Sequence, residues 1–207
     1  MCKKALLPKR FLKSLFEKLT LPQVKFEASG YTSINLFFED ESRYGLLTVL
    51  RRMITAKGVK PTAPFLHRFD NLYLFGAFSP ITGDKYLLEM PCCNSEGFQI
   101  FLDHLSEQNP NEFKIHILDN GASHHAKTLQ IPYNISFAFL PAYSPELNPA
   151  EKMWRYIKDR ISMIAYNNID QLQQQRSIVI NAISNDTIKS ICGNQFYKTI
   201  FKNKFNI

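Results

Sequence analysis

The order of the apolar segments constrains the fold of this chain more than any other feature. Two apolar runs at 72–79 and 85–90 flank the turn sequence PITG at 80–83, which predicts an antiparallel hairpin. Further along, the pattern changes to strand, helix, strand, an alternation typical of parallel pairing. An antiparallel beginning followed by parallel strands predicts an α/β fold, with a mixed sheet flanked by helices.

The remaining elements are predicted from apolar periodicity and from residues that begin or end helices. Further strands are predicted at 34–40, 44–49, 113–118 and 135–140, and the second of these is expected to pair with the first. Helices are predicted at 3–19, 94–108, 124–129 and 149–165, with one or two more between 169 and 200.

The chain has a net charge of +7, and its positive charge is concentrated at the two ends. Residues 1–30 hold seven Lys and Arg against two acids, and residues 187–207 hold four lysines and no acid. The segment between them holds fourteen basic and sixteen acidic residues. Basic flanks of this kind either follow nucleic-acid phosphates or form solvated helix faces, and the sequence leaves both interpretations open.

The sequence offers no segment that would place the chain in a membrane. Its apolar runs all fall short of the roughly 18 residues that a spanning helix needs. The beginning of the chain, MCKKALLPKRFLKSLF, lacks the long apolar region of a secretory signal. We therefore expect a cytoplasmic protein.

Two carboxylates close predicted strands, and each has two possible roles. Asp40 ends the strand in FFEDES, and Asp119 ends the strand in KIHILDN. Side chains at strand ends lie at the rim of an open α/β sheet, where ligands bind. A single Asp at such a place more often caps the following turn, so neither residue alone indicates a site.

A third carboxylate, Glu151, follows a loop stiffened by three prolines in LPAYSPELNPAEKMW. With Asn148 as the N-cap and Pro149 at the first helical position, Glu151 falls where a capping box has its acid. Capping alone does not explain the other prolines, which lower the entropy of the loop and fix where the helix begins. Fixed placement suits a metal-ligating carboxylate. Both interpretations of Glu151 stay open.

Trp154, one turn after Glu151, can anchor this helix to the sheet together with Ile157 and Ile161. Arg155 and Lys158 then lie beside Glu151, where they either contact phosphate or form a solvated face. If the three carboxylates met at one point they would repel one another unless cations lay between them. A hard oxygen cluster of this kind suits Mg²⁺ or Mn²⁺.

Three blocks of sequence, FFEDESRYG, ILDNGASHH and LPAYSPELNPAEKMW, occur in the order seen in a known family. They resemble the catalytic blocks of mariner superfamily transposases, in particular the insertion-sequence-630 group. The resemblance implies a ribonuclease-H-like fold with a DDE triad that binds two divalent ions, Mg²⁺ or Mn²⁺. Carried over by position, the catalytic and metal-binding residues are Asp40, Asp119 and Glu151.

Further residues match the family's positions around the metals. Glu41, Asn120 and His124 are expected to support the ligands rather than to bind metal. Arg43, Arg155 and Lys158 are expected to contact DNA.

The resemblance covers about residues 31–165 and departs from the family in three places. Ala142 stands where the family's turn has a second proline, and the 31 residues between Asp119 and Glu151 are a few short of the usual spacing. Family members usually carry helix-turn-helix modules before the first block, and 30 residues cannot hold them. We expect a basic helical segment or linker at 1–30 and a catalytic domain with C-terminal helices at 31–207. Either a separate helix-turn-helix chain supplies end recognition, or the chain is a catalytic fragment or remnant.

The function that the resemblance implies is that of a DNA transposase catalytic domain. It would hydrolyse phosphodiesters at transposon ends and transfer the freed strand to target DNA, in the cytoplasm and associated with the nucleoid. The sequence leaves the oligomeric state open, a homodimer being one alternative. Two alternatives stay open: an inactive remnant that binds DNA or assembles on the same scaffold, and a structure-specific nuclease.

Overall fold

A computed structural model of the chain describes residue 14 and residues 17–46, 54–60, 70–162 and 164–206, and it centres on one five-stranded sheet. The strands are β1 (Ser33–Gly45), β2 (Asn71–Phe78), β3 (Lys85–Met90), β4 (Glu112–Leu118) and β5 (Ile135–Phe139). The helices are α1 (Thr20–Ser29), α2 (Ser95–Glu107), α3 (Ala150–Ile161), α4 (Ile169–Asn181), α5 (Asn185–Cys192) and α6 (Gln195–Phe205). Short 3₁₀ turns cover Ala122–His125 and Pro145–Leu147.

The first strand of the chain lies in the middle of the sheet, whose order is β3-β2-β1-β4-β5. β1 pairs antiparallel with β2 and parallel with β4, and β5 extends the parallel part. The hairpin between β2 and β3 closes at Gly83, whose N–H donates to the carbonyl of Ser79. Its φ of 81° is a conformation that glycine adopts without the steric strain other residues would have. The predicted mixed sheet flanked by helices is confirmed.

Side chains of β1 alternate between two buried layers, as the period of a strand requires. Leu36 and Phe38 point to the layer that contains α6, and the same face carries α3 beside Phe78. Phe37 points the other way, into the aromatic layer formed by α2. By the same alternation, Asp40 falls on the α3 face and its two glutamate neighbours fall on the α2 face.

One predicted strand pair is wrong. The runs at 34–40 and 44–49 were expected to pair with each other, but Tyr44 belongs to β1 itself and pairs with Leu72 of β2. Residues 47–49 lie outside the described residues. Glu39–Arg43 lies within the continuous strand β1, where Glu39 is buried and Glu41 half-buried on the α2 face, both in contact with His124.

Three helix predictions need correction. The segment 124–129 is not an α-helix, because only the 3₁₀ turn Ala122–His125 forms there. α3 ends at Ile161 rather than near residue 165. The hydroxyl of Tyr166 donates to the carbonyl of Ile161 at this helix end. Three helices, not one or two, follow it, and each begins at a side-chain cap: Asn168, Ser184 and Asn194.

The predicted helix at 3–19 lies almost entirely outside the described residues. Its last residue, Leu19, belongs to the core cluster that contains Phe113, and Phe26 of α1 packs against that cluster. The boundary proposed near residue 30 stays a prediction. Among the helices that the structure describes, none combines the length and the apolar character that a membrane crossing requires.

Candidate active site

Three carboxylates from distant parts of the chain line one cavity of about 380 Å³: Asp40, Asp119 and Glu151. Asp40 lies on β1 just beyond its last pair with β4, Asp119 directly follows β4, and Glu151 lies in the first turn of α3. The rest of the wall is formed mainly by the loop 140–145. The structure thus brings the three predicted carboxylates together at the carboxyl end of the parallel strands.

Asp40 is held in place by the chain's only tryptophan. The indole N–H of Trp154 donates to Oδ2 of Asp40, with 3.0 Å between the two atoms. Burial raises the pKa of Asp40 to about 8, and the charges of Glu151, Glu41 and Asp119 add to the rise. The part of this rise that comes from the neighbouring acids shows that negative charge is crowded at the site, so a cation would be stabilised there.

Trp154 reaches Asp40 because the neighbouring strand has no side chain in its way. Gly76 of β2 lies opposite Asp40 in the sheet, and a Cβ built on it would lie 2.4 Å from Cη2 of Trp154. The indole also packs edge-on against Phe78, with ring centroids 5.2 Å apart. The sequence indicated Trp154 only as a hydrophobic anchor, although its position one turn after Glu151 was the available signal.

Glu151 does not complete a capping box. The backbone N–H of Asn148, which such a box would offer to the acid, instead donates to the carbonyl of Pro145 over 2.9 Å. Asn148 is itself buried: its side-chain oxygen accepts from the N–H of Ala150, and its amide nitrogen donates to the carbonyl of Glu39. This leaves Glu151 exposed to the cavity, so the capping interpretation of Glu151 is wrong and the loop fixes where its helix begins.

Asp119 is oriented by two donors. Its Oδ1 accepts from the N–H of Gly121 over 2.7 Å and lies 3.0 Å from Nδ1 of His124. On the other side of the ring, Nε2 of His124 lies 3.2 Å from Oε1 of Glu41. Burial by itself lowers the pKa of His124, but the hydrogen bonds to Asp119 and Glu41 outweigh it and raise the pKa to about 11. The imidazole therefore carries a proton at neutral pH, and its hydrogen bond lowers the pKa of Asp119.

Glu39 is a buried acid that sequence reasoning missed. It is fully buried, neither of its carboxylate oxygens makes a hydrogen bond within the described residues, and Oε2 lies 3.5 Å from Nε2 of His124. Burial raises the pKa of Glu39 well above its usual range, and the charge of Glu41 adds to this. In the sequence, Glu39 follows an apolar run and is one of three consecutive acids. Nothing in that pattern predicted that its side chain would be buried.

Glu39, Glu41 and His124 are close enough to hold a metal ion, since their ligand atoms lie within 4.8 Å of one another. They lie on the α2 face of β1, however, whereas Asp40 lies on the α3 face. We therefore place the candidate metal centre in the cavity of Asp40, Asp119 and Glu151, with this cluster as its support.

The other predicted site residues are divided between the two faces. The side chain of Asn120 lines the cavity and donates to the carbonyl of Leu140 over 2.6 Å, which ties the end of β4 to the loop after β5. Arg155 and Lys158 share a groove with Glu151 on the exposed side of α3. Arg43 is exposed on β1, but strand alternation turns it away from Asp40. The structure thus groups two of the three predicted basic residues with Glu151.

Comparison with solved structures shows the same fold in a transposase. The mariner Mos1 transposase, in a paired-end complex with Mg, superposes with a TM-score of 0.60 at 15% identity, covering 97% of this chain and 63% of that one. The isolated catalytic domain of Mos1 gives a TM-score of 0.50 at 14% identity, covering 97% of this chain and 93% of that one. At such identities the likeness establishes the fold, and the predicted ribonuclease-H-like architecture is confirmed.

Comparison of sequences identifies the family. A Sinorhizobium fredii protein named "Uncharacterized protein y4pE/y4sA" is 37% identical over 91 residues, which are 42% of this chain and 65% of that protein. The chain thus spans less than two thirds of this relative and of the Mos1 chain in its paired-end complex. The model of the DDE superfamily endonucleases matches residues 35–173, a segment that includes all three carboxylates. Because that match spans more than half of the chain, the protein belongs to the DDE superfamily endonucleases.

Proposed function

We propose that the chain is the catalytic domain of a DNA transposase that cuts phosphodiesters at transposon ends and joins the freed strand to target DNA. The observation that carries this proposal is the cavity in which Asp40, Asp119 and Glu151 meet. These residues come from a central strand, the end of its parallel neighbour and the start of a helix, so only the complete fold brings them together.

The residues present fit a divalent metal centre. The cavity offers hard carboxylate oxygens from Asp40, Asp119 and Glu151, the ligand type that Mg²⁺ and Mn²⁺ prefer. Burial is the largest cause of the raised pKa of Asp40, and the charges of Glu151, Glu41 and Asp119 add the part that a bound cation would offset. We propose that two ions bind there, and that when bound they would activate the attacking hydroxyl and stabilise the leaving oxygen.

The chain's own residues orient these ligands. Trp154 holds one oxygen of Asp40, and His124 holds one oxygen of Asp119 while Glu41 holds the far side of the ring. Asn120 fixes the loop that closes the cavity. The groove of Arg155 and Lys158 beside Glu151 suits the phosphates that flank the scissile bond. Arg43, on the other face, would contact DNA only outside this groove.

The partners and the setting follow from the proposed reaction. We propose transposon ends and target DNA as substrates, and a separate helix-turn-helix chain or module for end recognition. A homodimer would bring two such sites to two ends. Residues 1–30 would serve as a basic segment or linker, and the protein would act in the cytoplasm on nucleoid DNA.

Replacing one carboxylate tests the assignment. With Mn²⁺ and a labelled plasmid or linear duplex, Asp119→Asn should remain folded and lose metal-dependent strand cleavage. Asp103→Asn, at an exposed carboxylate on α2, is the matched control and should cut as the wild type does. Equal cutting by Asp119→Asn and the wild type would show that the assignment is wrong.

The same assay separates the alternatives. Joined products in which a labelled strand enters a second DNA molecule would distinguish a transposase from a nuclease, which yields hydrolysis alone. DNA binding that falls with salt but needs no divalent ion, with no cleavage by the wild type, would instead indicate a non-catalytic DNA-binding protein.

A further inference from the structure

Tyr143 stands on the wall of the carboxylate cavity with its side chain entirely in solvent. Its exposed fraction is 101%, and its backbone adopts the left-handed conformation with φ of 56°. In the described part of the chain, the other residues with positive φ that are not glycine are Asn109 and Asn206. Asparagine adopts this conformation readily and tyrosine does not, so the loop holds Tyr143 in a strained position.

The loop around Tyr143 is anchored at both ends. On one side, the N–H of Leu140 donates to the carbonyl of Leu118, and Asn120 donates to the carbonyl of Leu140. On the other side, Leu147 is buried, and the hydroxyl of Tyr197 donates to its carbonyl over 2.9 Å. The exposure of Tyr143 is therefore a consequence of a fixed loop that directs the ring outward.

The ring has no partner within the described residues, since an exposure of 101% leaves it no side-chain contact. A large amphipathic ring in full contact with water loses the burial that usually stabilises an aromatic side chain. It shares the cavity wall with Asp40, Asp119 and Glu151, and under the proposed function the ions that these acids would hold bring a phosphodiester there. Nucleobases are the planar groups attached to such a backbone, and they stack on exposed tyrosines.

We propose that Tyr143 is a stacking platform for an unpaired DNA base beside the scissile phosphate. This inference rests on the proposed function, because it is the cleavage site that brings DNA to the cavity. It adds a substrate class: strands that are unpaired by at least one nucleotide next to the scissile bond bind better than continuous duplex.

Binding of a fluorescent probe tests the platform apart from catalysis. The probe is a DNA duplex with a short central unpaired segment that carries 2-aminopurine, whose fluorescence falls when it stacks on an aromatic ring. Titrations are made in Ca²⁺, so that binding is followed without cleavage. Wild type should quench the probe and bind it more tightly than the fully paired duplex.

Three variants separate the ring from the backbone and from general exposure. Tyr143→Phe keeps the ring and should quench as the wild type does. Tyr143→Asn keeps the left-handed backbone without the ring, and should lose the quenching and bind about 5- to 100-fold more weakly. Tyr133→Asn is the matched control, because Tyr133 is 99% exposed but lies before β5, at the far end of that strand from the cavity loop. It should change neither signal.

Full quenching and tight binding by Tyr143→Asn would overturn the inference, and so would a wild type that fails to quench the probe. A loss in Tyr143→Phe equal to that in Tyr143→Asn would also overturn it, since the hydroxyl rather than the ring would then matter. Cleavage in Mn²⁺ is scored separately: a wild type that quenches but never cuts contradicts the proposed function and leaves the platform standing.

Discussion

The indole N–H of Trp154 and Oδ2 of Asp40 are 3.0 Å apart and joined by a hydrogen bond. This contact links the helix that carries Glu151 to the strand that carries Asp40. The separation of two of the three carboxylates is therefore set by one polar bond as well as by the packing of α3 on the sheet.

Replacing Trp154 with Phe should reduce cleavage more than it reduces stability. The ring packing against Phe78 is largely kept, but Asp40 loses its donor. With metal bound Asp40 would be ionised, and a hydrogen bond to a charged group is worth about 1.5–3 kcal/mol, so metal-dependent cleavage should fall roughly ten- to hundredfold. Ile157→Val, on the same buried face of α3, is the control for lost packing and should cut normally. If both variants lost activity in proportion to their melting temperatures, the hydrogen bond would have no separate role.

Gly76→Ala should disturb the same contact from the opposite strand. The added Cβ would lie 2.4 Å from Cη2 of Trp154, so the indole must move. Overpacking of this kind costs about 1–3 kcal/mol in the free energy of unfolding, measured by urea denaturation. Because Phe lacks the clashing atom, the double variant Gly76→Ala, Trp154→Phe should be more stable than the sum of the single effects by at least ~0.5 kcal/mol. Strict additivity would show that the two residues do not interact.

His124→Ala should be strongly destabilising. It removes the positive charge that lies between Asp119, Glu41 and Glu39. Removing one partner of a buried ionic cluster costs about 3–5 kcal/mol, because the remaining charges are left without compensation. His125→Ala is the matched control: that residue is exposed and stacks on Phe139, so its loss should cost about 1 kcal/mol or less. Equal effects on the free energy of unfolding would contradict the role given to His124.

His116→Leu should change the pH dependence of stability. Burial lowers the pKa of His116 to about 3, and both ring nitrogens lack hydrogen bonds within the described residues. Between roughly pH 6.5 and pH 3 the unfolded chain binds a proton there that the folded chain does not, so stability falls as the pH falls through this window.

Leucine has no proton to bind, so the variant should gain stability relative to wild type on acidification. From the usual histidine pKa, the gain between pH 8 and pH 5 should be on the order of 2 kcal/mol, measured by urea unfolding at both values. A difference between variant and wild type that is the same at pH 8 and pH 5 would show that His116 is not the group responsible.

Much of the fold could be predicted because its strands carry strong local signals. The hairpin turn at Gly83 and the helix cap at Asn94 could be predicted because glycine and asparagine are strongly preferred at such positions. The length of β1 could not be predicted, because Glu39 and Glu41 break its apolar pattern. Their burial depends on His124, which lies more than eighty residues away in the chain.

The carboxylates of the site were found through their sequence blocks, but the contacts that orient them were not. The bond from Trp154 to Asp40 depends on the absence of a side chain at Gly76, and this relationship exists only once β1 and β2 are in register. Asn148 was expected to take part in a capping box, but its side-chain amide donates to the carbonyl of Glu39. This contact also depends on tertiary packing. Local rules could place Glu151 near the start of a helix. They could not decide whether its side chain caps that helix or faces the cavity.

The position of β1 in the middle of the sheet has a consequence for biosynthesis. Its parallel neighbour β4 begins only at residue 112, and α3, which carries Glu151, begins at residue 150. Closing loops of this length is slow compared with forming a local hairpin. Until residue 151 has been translated, the chain has Asp40 but not both of its partners. A nuclease built in this order lacks its complete set of carboxylates until the segment that carries Glu151 has been made.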